Sequence, residues 1–354
     1  MEYKGARYVP LKKGGYGKGS VIIYYNGDAK LVPGYPSIKR LVLLSKVPEY
    51  FPEGVSVEEK MNGYNVRTVL VGGELFAVTR GGYLCPYTNA RLREEVGEEL
   101  KELLKALPPG SVVAGEIVGT ENPYVRVEYP EEPRFGYFIF DIFVRDGKEW
   151  RQMPVHERHE LVKSYGLRSV KLLGTFKPEE APQKIKEIID RFDVEGREGV
   201  VMKDPNYRRE PAKYTGSFTN IGDIEQGMLY PFDEGKDYLF PRIVREMFKV
   251  YEEGLEGRAF EERALWLGKA ILSPSVRAVK AVAEGKPIHE EFTLRFPTEE
   301  DLEEYLRYVR TLGIKVSILE KEKEDGCTVV RVRKYKRSPD VIEGMLKSGH
   351  TPLD

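Results

Sequence analysis

The chain has 354 residues, 41% hydrophobic, 11% aromatic and 32% charged, enough for two or three domains with full cores and too apolar for a disordered chain. Lys and Arg number 56 against 57 Asp and Glu, so the net charge is −1 and the chain as a whole is not a polycation. Cys85 and Cys327 lie far apart, which excludes a disulfide framework and a Cys-based zinc site, and no run approaches the ~18 apolar residues of a membrane span. The opening MEYKGARYVPLKKGG carries no apolar signal core, so a cytoplasmic, reducing setting is expected. Gln occurs only at 152, 183 and 226, while Glu and Lys abound, a composition that points to a thermophile.

Residues 1–46 hold nine cations (Lys4, Arg7, Lys12, Lys13, Lys18, Lys30, Lys39, Arg40, Lys46) and two acids, Glu2 and Asp28. That segment is therefore +7 and the remainder −8. Tyr3, Tyr8, Tyr16, Tyr24 and Tyr25 interleave with the cations. Such an arm could follow a phosphate backbone and stack on bases, or be one solvated face of a hairpin. Val21–Tyr25 reads as a strand ending in an Asn26-Gly27 turn. Lys46–Gly54, KVPEYFPEG, reads as a connection.

From 47 to about 225 the pattern is β-rich α+β. Strands are expected at Val66–Val71, Leu75–Val78, Val112–Val118, Tyr137–Val144 and Gly199–Met202, the first two joined at Gly72-Gly73. Apolar residues at helical spacing mark Ala90–Leu107, stopped by Pro108-Pro109, and Ala181–Phe192. GSFTNIGDIEQG, 216–227, reads as a polar loop. Three helices are expected across Pro241–Glu284, on stripes running Val244–Leu255, Phe260–Ile271 and Val276–Val282. Three stripes in so few residues cannot bury one another, which predicts a helical dimerisation module over 226–287. Residues 288–354 return to α/β. Strands are expected at Phe292–Phe296, Ile314–Leu319 and Cys327–Val332. One helix opens at Thr298 with Asp301 three residues on, and another has Ser338 as N-cap. RVRKYKR, Arg331–Arg337, is either an RNA-facing or a solvated basic face.

The chemistry is carried by an ordered series within 47–225. EEKMNGYNVR places Lys60 before a Gly63 turn, followed by Asn65 and Arg67. TRGG carries Arg80. AGEIVG centres Glu116 on a strand, and FGYFIFDIF interrupts an aromatic strand with Asp141 after Phe140. EGVVMK spans Glu198 to Lys203, and PAKYTG holds Lys213. Each fragment alone is ordinary; the order is what is specific. His156 and His159 of HERH have a metal-compatible spacing but read as a solvated helix start, and GKGS at 17–20 lacks the rest of a phosphate loop.

The series resembles the covalent nucleotidyltransferases: ATP-dependent DNA ligases, RNA ligases and mRNA capping enzymes. Lys60-Met61-Asn62-Gly63 matches their Lys-x-Asp-Gly, Gly115-Glu116 their Gly-Glu pair, Phe140-Asp141 the aromatic element, and Glu198 to Lys203 the Glu-Gly-x-x-x-Lys element. The last motif, Lys-x-Lys, is met at Lys213, with Thr215 where the second Lys is expected; Arg208 and Arg209 are nearby substitutes. Asn62, Tyr64-Asn65-Val66-Arg67 and Arg80 look like RNA ligases, and the layout like the archaeal homodimeric ones. The implied fold is an α+β nucleotidyltransferase (ATP-grasp-like ligase) domain with an N-terminal β module (1–46), a helical dimerisation module and a C-terminal α/β module.

The resemblance implies an ATP-dependent RNA ligase that joins 5′-phosphate and 3′-OH ends of single-stranded RNA, including circularisation. Lys60 would attack the α-phosphate of ATP and carry AMP covalently. Free Lys has a pKa near ~10.4, so its amine must be freed of its proton to attack. Lys203 and Lys213 would cradle the α-phosphate, and Glu198 would stand by Mg²⁺ or Mn²⁺. Glu116 and Arg67 would hold the ribose, Phe140 would stack on adenine, and Glu59 would accept from its amino group. Asn65 and Arg80 would contact RNA or its 5′-phosphate. Two rivals stay open here: a DNA ligase or GTP-using capping enzyme, whose last motif usually leads into an OB domain, and a non-catalytic RNA-binding relative.

Overall fold

A computed structural model describes residues 1–11, 15–234 and 236–351. The chain opens with β1 (Glu2–Tyr3), β2 (Ala6–Pro10), β3 (Val21–Tyr25) and β4 (Asp28–Val32), an antiparallel meander in that order. Asn26 and Gly27 both sit at positive φ, 48° and 76°, as the two-residue turn between twisted strands requires. Alternation puts Tyr3, Tyr8, Val21 and Ile23 on one buried face, packed against Val69, Val71, Phe76 and Val78. Tyr3 and Tyr8 are therefore core residues and not stacking platforms, a correction to the basic-arm reading. Lys4 is tied to Asp301 at 2.7 Å and Lys30 to Asp28 at 2.8 Å. Lys12 and Lys13 lie outside the described residues.

β5 (Lys39–Arg40) leaves the meander, and α1 (Val47–Tyr50) turns within the expected connection, burying Val47 and Phe51. Then follow β6 (Val55–Lys60), β7 (Tyr64–Val71), β8 (Glu74–Thr79), α2 (Pro86–Ala106), β9 (Val112–Val118), β10 (Gly136–Asp146) and β11 (Glu149–Gln152). α3 (Val155–Ser164), β12 (Leu172–Phe176), α4 (Ala181–Glu195), β13 (Gly199–Lys203) and β14 (Ala212–Thr215) complete this part. Two five-stranded sheets result, β11-β10-β9-β7-β8 and β12-β6-β13-β14-β5. β6 and β7 are consecutive yet lie in different sheets. The crossing is tight: a Cβ on Gly63 would lie 2.1 Å from the Ile117 carbonyl oxygen, so only glycine fits there. β5 joins the second sheet as a parallel edge to β14, so residues of the N-terminal segment sit in the catalytic sheet.

α5 (Ser217–Leu229) replaces the loop expected at 216–227. Its first amides, Ser217 and Phe218, donate to the Asp193 carboxylate at 3.2 and 3.0 Å, a cap supplied from α4 rather than from local sequence. Ile221 and Ile224 give it a buried face. α6 (Lys236–Glu253) and α7 (Gly257–Ala283) occupy the span where three helices were expected; α7 runs through the buried Pro274, joining the second and third stripes. Ser275 Oγ donates to the Ile271 carbonyl at 2.7 Å within that turn.

The chain ends with β15 (Glu290–Phe296), α8 (Glu299–Thr311), β16 (Val316–Glu324), β17 (Cys327–Lys334) and α9 (Ser338–Ser348), the strands ordered β15-β17-β16. The Asp301 amide donates to Thr298 Oγ1 at 3.2 Å, as the capping pattern predicts. The last helix is held differently from expectation. The Arg337 and Ser338 amides both donate to Asp233 at 2.8 Å, and Arg337 takes the cap position. Phe292, Leu294, Phe296 and Tyr305 share one core with Tyr87, Leu92 and Leu100, so the C-terminal sheet is packed on α2 and the first catalytic sheet. Each such side chain contributes roughly 1.5–3 kcal/mol by burial.

Candidate active site

Strand register explains which side chains meet. Partners in a sheet point to the same face. In the second sheet Glu58 pairs with Val201, Val201 with Lys213, and Lys213 with Arg40; the next row is Lys60, Gly199, Thr215. In the first sheet Asn65 pairs with Glu116 and Glu116 with Phe138. The two faces bound a cavity of about 320 Å³ lined by Glu59, Lys60, Asn65, Arg80, Glu116, Phe140, Lys203 and Lys213. Tyr35 and Ile38, from the N-terminal segment, also line it; the motif reading had no signal for either. Phe140 lines the cavity two residues on from Phe138, and the bulge of β10 between Ile139 and Asp141 brings Asp141 to the same face. Tyr35 packs edge-on against it, with ring centroids 5.2 Å apart.

Lys60 Nζ lies 2.5 Å from Glu198 Oε2, and that oxygen, buried, has no hydrogen-bonded partner among the described residues. The contact is thus an ion pair without hydrogen-bond alignment. Lys60 and Gly63 line a second space as well, an open cleft of about 1050 Å³ that runs past Glu198 to Arg126, Arg242, Lys334 and Lys336. Lys60 stands where cavity and cleft meet. Glu116 is pushed up to about 8 by burial, against the pull of Lys60 and with Glu198 adding to the rise. Asn65 Oδ1 is buried without a hydrogen-bonded partner among the described residues, and Asn65 lines the same cavity. Glu59 accepts from Arg197 Nη1 at 2.6 Å, and burial raises its carboxyl despite that partner.

The cavity floor is a buried ion network. Lys203, 1% exposed, meets Glu58 at 2.8 Å, Asp141 at 3.0 Å and the Phe140 carbonyl at 2.6 Å. Arg158 also pairs with Glu58, and His159 Nε2 lies 2.6 Å from it. Burial alone would raise Glu58; Lys203 and Arg158 outweigh it and hold the carboxyl well below the usual range. Tyr35 and Tyr207 donate to Asp141. Lys203 is consequently committed to carboxylates, and the freer cation over the cavity is Lys213. Burial first, then Arg40 and Lys60, bring Lys213 down to about 8.

Two site expectations change. Arg67 does not line the cavity: its guanidinium is buried behind the sheet and donates to the Gly19 carbonyl at 2.9 Å, the Thr79 carbonyl at 2.6 Å and the Pro33 carbonyl. It clamps the N-terminal segment to β8 and is out of reach of a ribose. Arg208 is taken by Glu53 and Asp204, and the cation at Thr215 is Arg40, whose Nη1 donates to Thr215 Oγ1 at 2.7 Å. Arg40 was invisible to motif reading because it lies far upstream of Thr215 in sequence. His159 belongs to the Glu58 network, and no group of three or more His, Cys, Asp or Glu suited to a metal occurs among the described residues. Arg331 and Arg333 of the RVRKYKR run are paired with Glu291, whereas Lys334 and Lys336 line the cleft beside Glu290.

Comparison with known proteins adds the following. A profile described as RNA ligase matches residues 53–215, and one described as the ligase Pab1020 C-terminal region matches 227–349. A solved structure titled an archaeal ATP-dependent RNA ligase, form 2, is 36% identical with TM-score 0.86, covering 99% of this chain and 92% of that one. A putative ATP-dependent DNA ligase from Aquifex aeolicus is 30% identical with TM-score 0.82, covering 98% and 96%. An uncharacterized protein, MJ0414, of Methanocaldococcus jannaschii is 38% identical over 94% of this chain and 84% of its own length.

Proposed function

This chain belongs to the archaeal ATP-dependent RNA ligases and is an ATP-dependent RNA ligase; we propose that it works through a lysyl-AMP on Lys60 and seals 5′-phosphate and 3′-OH ends of single-stranded RNA, circularisation included. The carrying observation is the position of Lys60 on the border of two spaces, a cavity of about 320 Å³ and a larger cleft of about 1050 Å³. A nucleophile that receives AMP from one substrate and hands it to another needs access to both. The Lys60 lone pair attacks the α-phosphorus, the N–P bond forms as the P–O bond to pyrophosphate breaks, and the amine proton is lost. The AMP then passes to the RNA 5′-phosphate, and the 3′-OH displaces it.

Transfer at phosphorus rests on positioning and charge neutralisation. Phe140, on its bulge, offers a face to adenine, and Glu59 beside Lys60 an acceptor to its amino group. Glu116, largely protonated at neutral pH, can both donate to and accept from ribose hydroxyls. Lys213 contacts the α-phosphate, while Lys203 fixes Glu58, Asp141 and the Phe140 carbonyl beneath it. Asn65 and Arg80 reach RNA or its phosphate at the mouth.

Mg²⁺ or Mn²⁺ suits the donor set, because such ions take one or two carboxylates plus substrate phosphates and Glu198 offers a buried oxygen without a hydrogen-bonded partner. Held by Glu198, the ion would neutralise triphosphate charge. α6 and α7 leave Phe240, Met247, Tyr251, Leu265, Trp266 and Leu272 exposed, which supports a homodimer through this module. A monomer by light scattering at micromolar concentration would remove that part. No helix is long and apolar enough to cross a membrane among the described residues, and Cys85 and Cys327 are free and buried. Free thiols support a reducing, cytoplasmic setting.

The test is covalent labelling from ATP or GTP carrying label at the α-phosphate, with and without prior pyrophosphate treatment to strip bound AMP. Label from ATP alone, absent in Lys60→Ala, is the expected result. Label from GTP, or none after stripping, overturns the lysyl-AMP reading. Parallel RNA and DNA strands with 5′-phosphate ends then rank the acceptors, RNA being expected to seal faster.

A further inference from the structure

The turn that follows Lys60 is held by a part of the chain far from it in sequence. β6 ends at Lys60 and β7 begins at Tyr64 in the other sheet, so Met61, Asn62 and Gly63 bridge the two. The Asn62 amide donates to the Tyr129 hydroxyl at 2.6 Å. The Met61 side chain is buried in one cluster with the Tyr129 ring, Val118, Phe138 and Val170. Tyr129 is 3% exposed. A ring in such a cluster needs no hydroxyl to fill its space, yet this one turns its hydroxyl onto a main-chain group two residues past the nucleophile.

The residue before Lys60 is tied to the same place. Arg197 Nη1 donates to Glu59 at 2.6 Å and Nη2 to Glu131 at 2.7 Å, with the guanidinium over the Tyr129 ring, 5.9 Å from its centroid. Tyr129 and Glu131 both belong to the segment 119–135 that leads from β9 to β10. That segment is closed at its base, where the Thr120 and Glu121 amides donate to the Pro133 and Arg134 carbonyls at 3.0 and 2.9 Å. Asn122, fully buried, donates to the Gly119 carbonyl at 2.7 Å and accepts from the Tyr124 and Val125 amides at 3.0 and 2.8 Å. Buried and cross-linked in this way, the segment can serve as a fixed support for the turn it touches.

We propose that Tyr129 is a positioning residue for Lys60: its hydroxyl fixes the Lys60–Gly63 turn, while the Arg197–Glu131 bridge holds Glu59 on the other flank, so that the amine is aimed at the α-phosphorus. The inference rests on the lysyl-AMP reading above. Tyr129 lines neither the cavity nor the cleft, so it acts through the turn and not by contact with nucleotide or RNA. Attack at phosphorus loses rate steeply when the attacking atom is misplaced. Binding of ATP, made by the side chains of the cavity, does not depend on the aim of that atom. The signature of the role is therefore a lower maximal rate of adenylation at an unchanged ATP requirement.

Wild type, Tyr129→Phe and Glu131→Ala, each stripped of AMP with pyrophosphate, are mixed with Mg²⁺ and α-labelled ATP, and the rate of covalent labelling is followed against ATP concentration. Tyr129→Phe keeps the ring and removes only the acceptor of the Asn62 amide. Its maximal labelling rate is expected to fall about tenfold, with the half-saturating ATP concentration within about twofold of wild type. Glu131→Ala frees one arm of Arg197 at a half-exposed site and is expected to lose about threefold, with the same split. Joining of RNA that already carries a 5′-adenylate, in which the Lys60 amine takes no part, should stay within about twofold for both. Melting temperatures should stay within about 4 °C. A full labelling rate in Tyr129→Phe would overturn the proposal. So would a loss carried by the half-saturating ATP concentration, which would make Tyr129 part of nucleotide binding. An equal loss in every step with a matching drop in melting temperature would reduce it to a packing residue and overturn the proposal as well. A wild type that takes no label after stripping would instead bring down the lysyl-AMP reading and this inference with it, so the two failures are distinct.

Discussion

The two ends of the cavity are built on opposite electrostatic plans. Beneath Phe140, Glu58 and Asp141 meet Lys203 and Arg158, every charge buried and paired. Around Lys213 the cations Arg40 and Lys60 crowd it, Glu198 offsets them only in part, and no carboxylate lies within ion-pair distance of Lys213 among the described residues. Buried pairs fix shape, since losing one partner strands the other in a dry interior. Unpaired cations hold little shape together and stand ready for a charge that arrives with substrate. The two ends of the cavity thus differ in how fully their charges are paired.

Four experiments sharpen or break that contrast, from the largest effect down. Lys60→Ala is expected to abolish covalent labelling from ATP while circular dichroism and melting stay near wild type, because among the described residues the removed amine pairs with Glu198 alone. Glu58→Ala attacks the paired end. It leaves Lys203 and Arg158 short of an acid, and urea denaturation should show a loss of roughly 3–5 kcal/mol; a loss under about 1 kcal/mol would mean the network contributes little shape. Lys213→Met attacks the other end. Here kcat/KM for adenylation should fall about a hundredfold, some 2.7 kcal/mol of transition-state stabilisation, with no drop in melting temperature.

The smallest effect is a pH trend. Glu116, raised to about 8 against an ordinary 4.5, binds its proton more tightly folded than unfolded. Its contribution to stability is therefore full below pH 4.5 and is lost as the pH climbs through about 8. Glu116→Gln should flatten that decline in a series of melting curves from pH 5 to 9. Glu58 runs the other way: its carboxyl is depressed by Lys203 and Arg158 against the pull of burial, so its contribution is present above about 4.5 and fades in acid.

Sequence carried the order of the motifs because each is a local run on one strand: Lys60 at the end of β6, Glu116 within β9, Glu198 to Lys203 on β13. Hairpins marked by Asn26-Gly27 and Gly72-Gly73 were legible for the same reason. What escaped depends on distant partners. The helix at 217–229 looks polar and is capped by Asp193 from another helix. Pro274 reads as a break, yet α7 packs it in its interior. Arg67 reads as a ribose contact by resemblance, and Arg40 as one cation of the basic arm. One is locked on three carbonyls and the other reaches Thr215, and neither distance is written in local spacing.

The parallel pairing of β5 with β14 bears on how the enzyme is made. The ribosome delivers Arg40 among the first residues, and its strand partner only once Thr215 has emerged. Tyr35 likewise waits for Asp141, and Lys60 for Glu198. Contacts of such long sequence separation close late. Nascent chains that stop short of β14 lack the strand partner of β5. The sheet that carries Lys60 and Lys213 is thus complete only once the chain has been made through residue 215.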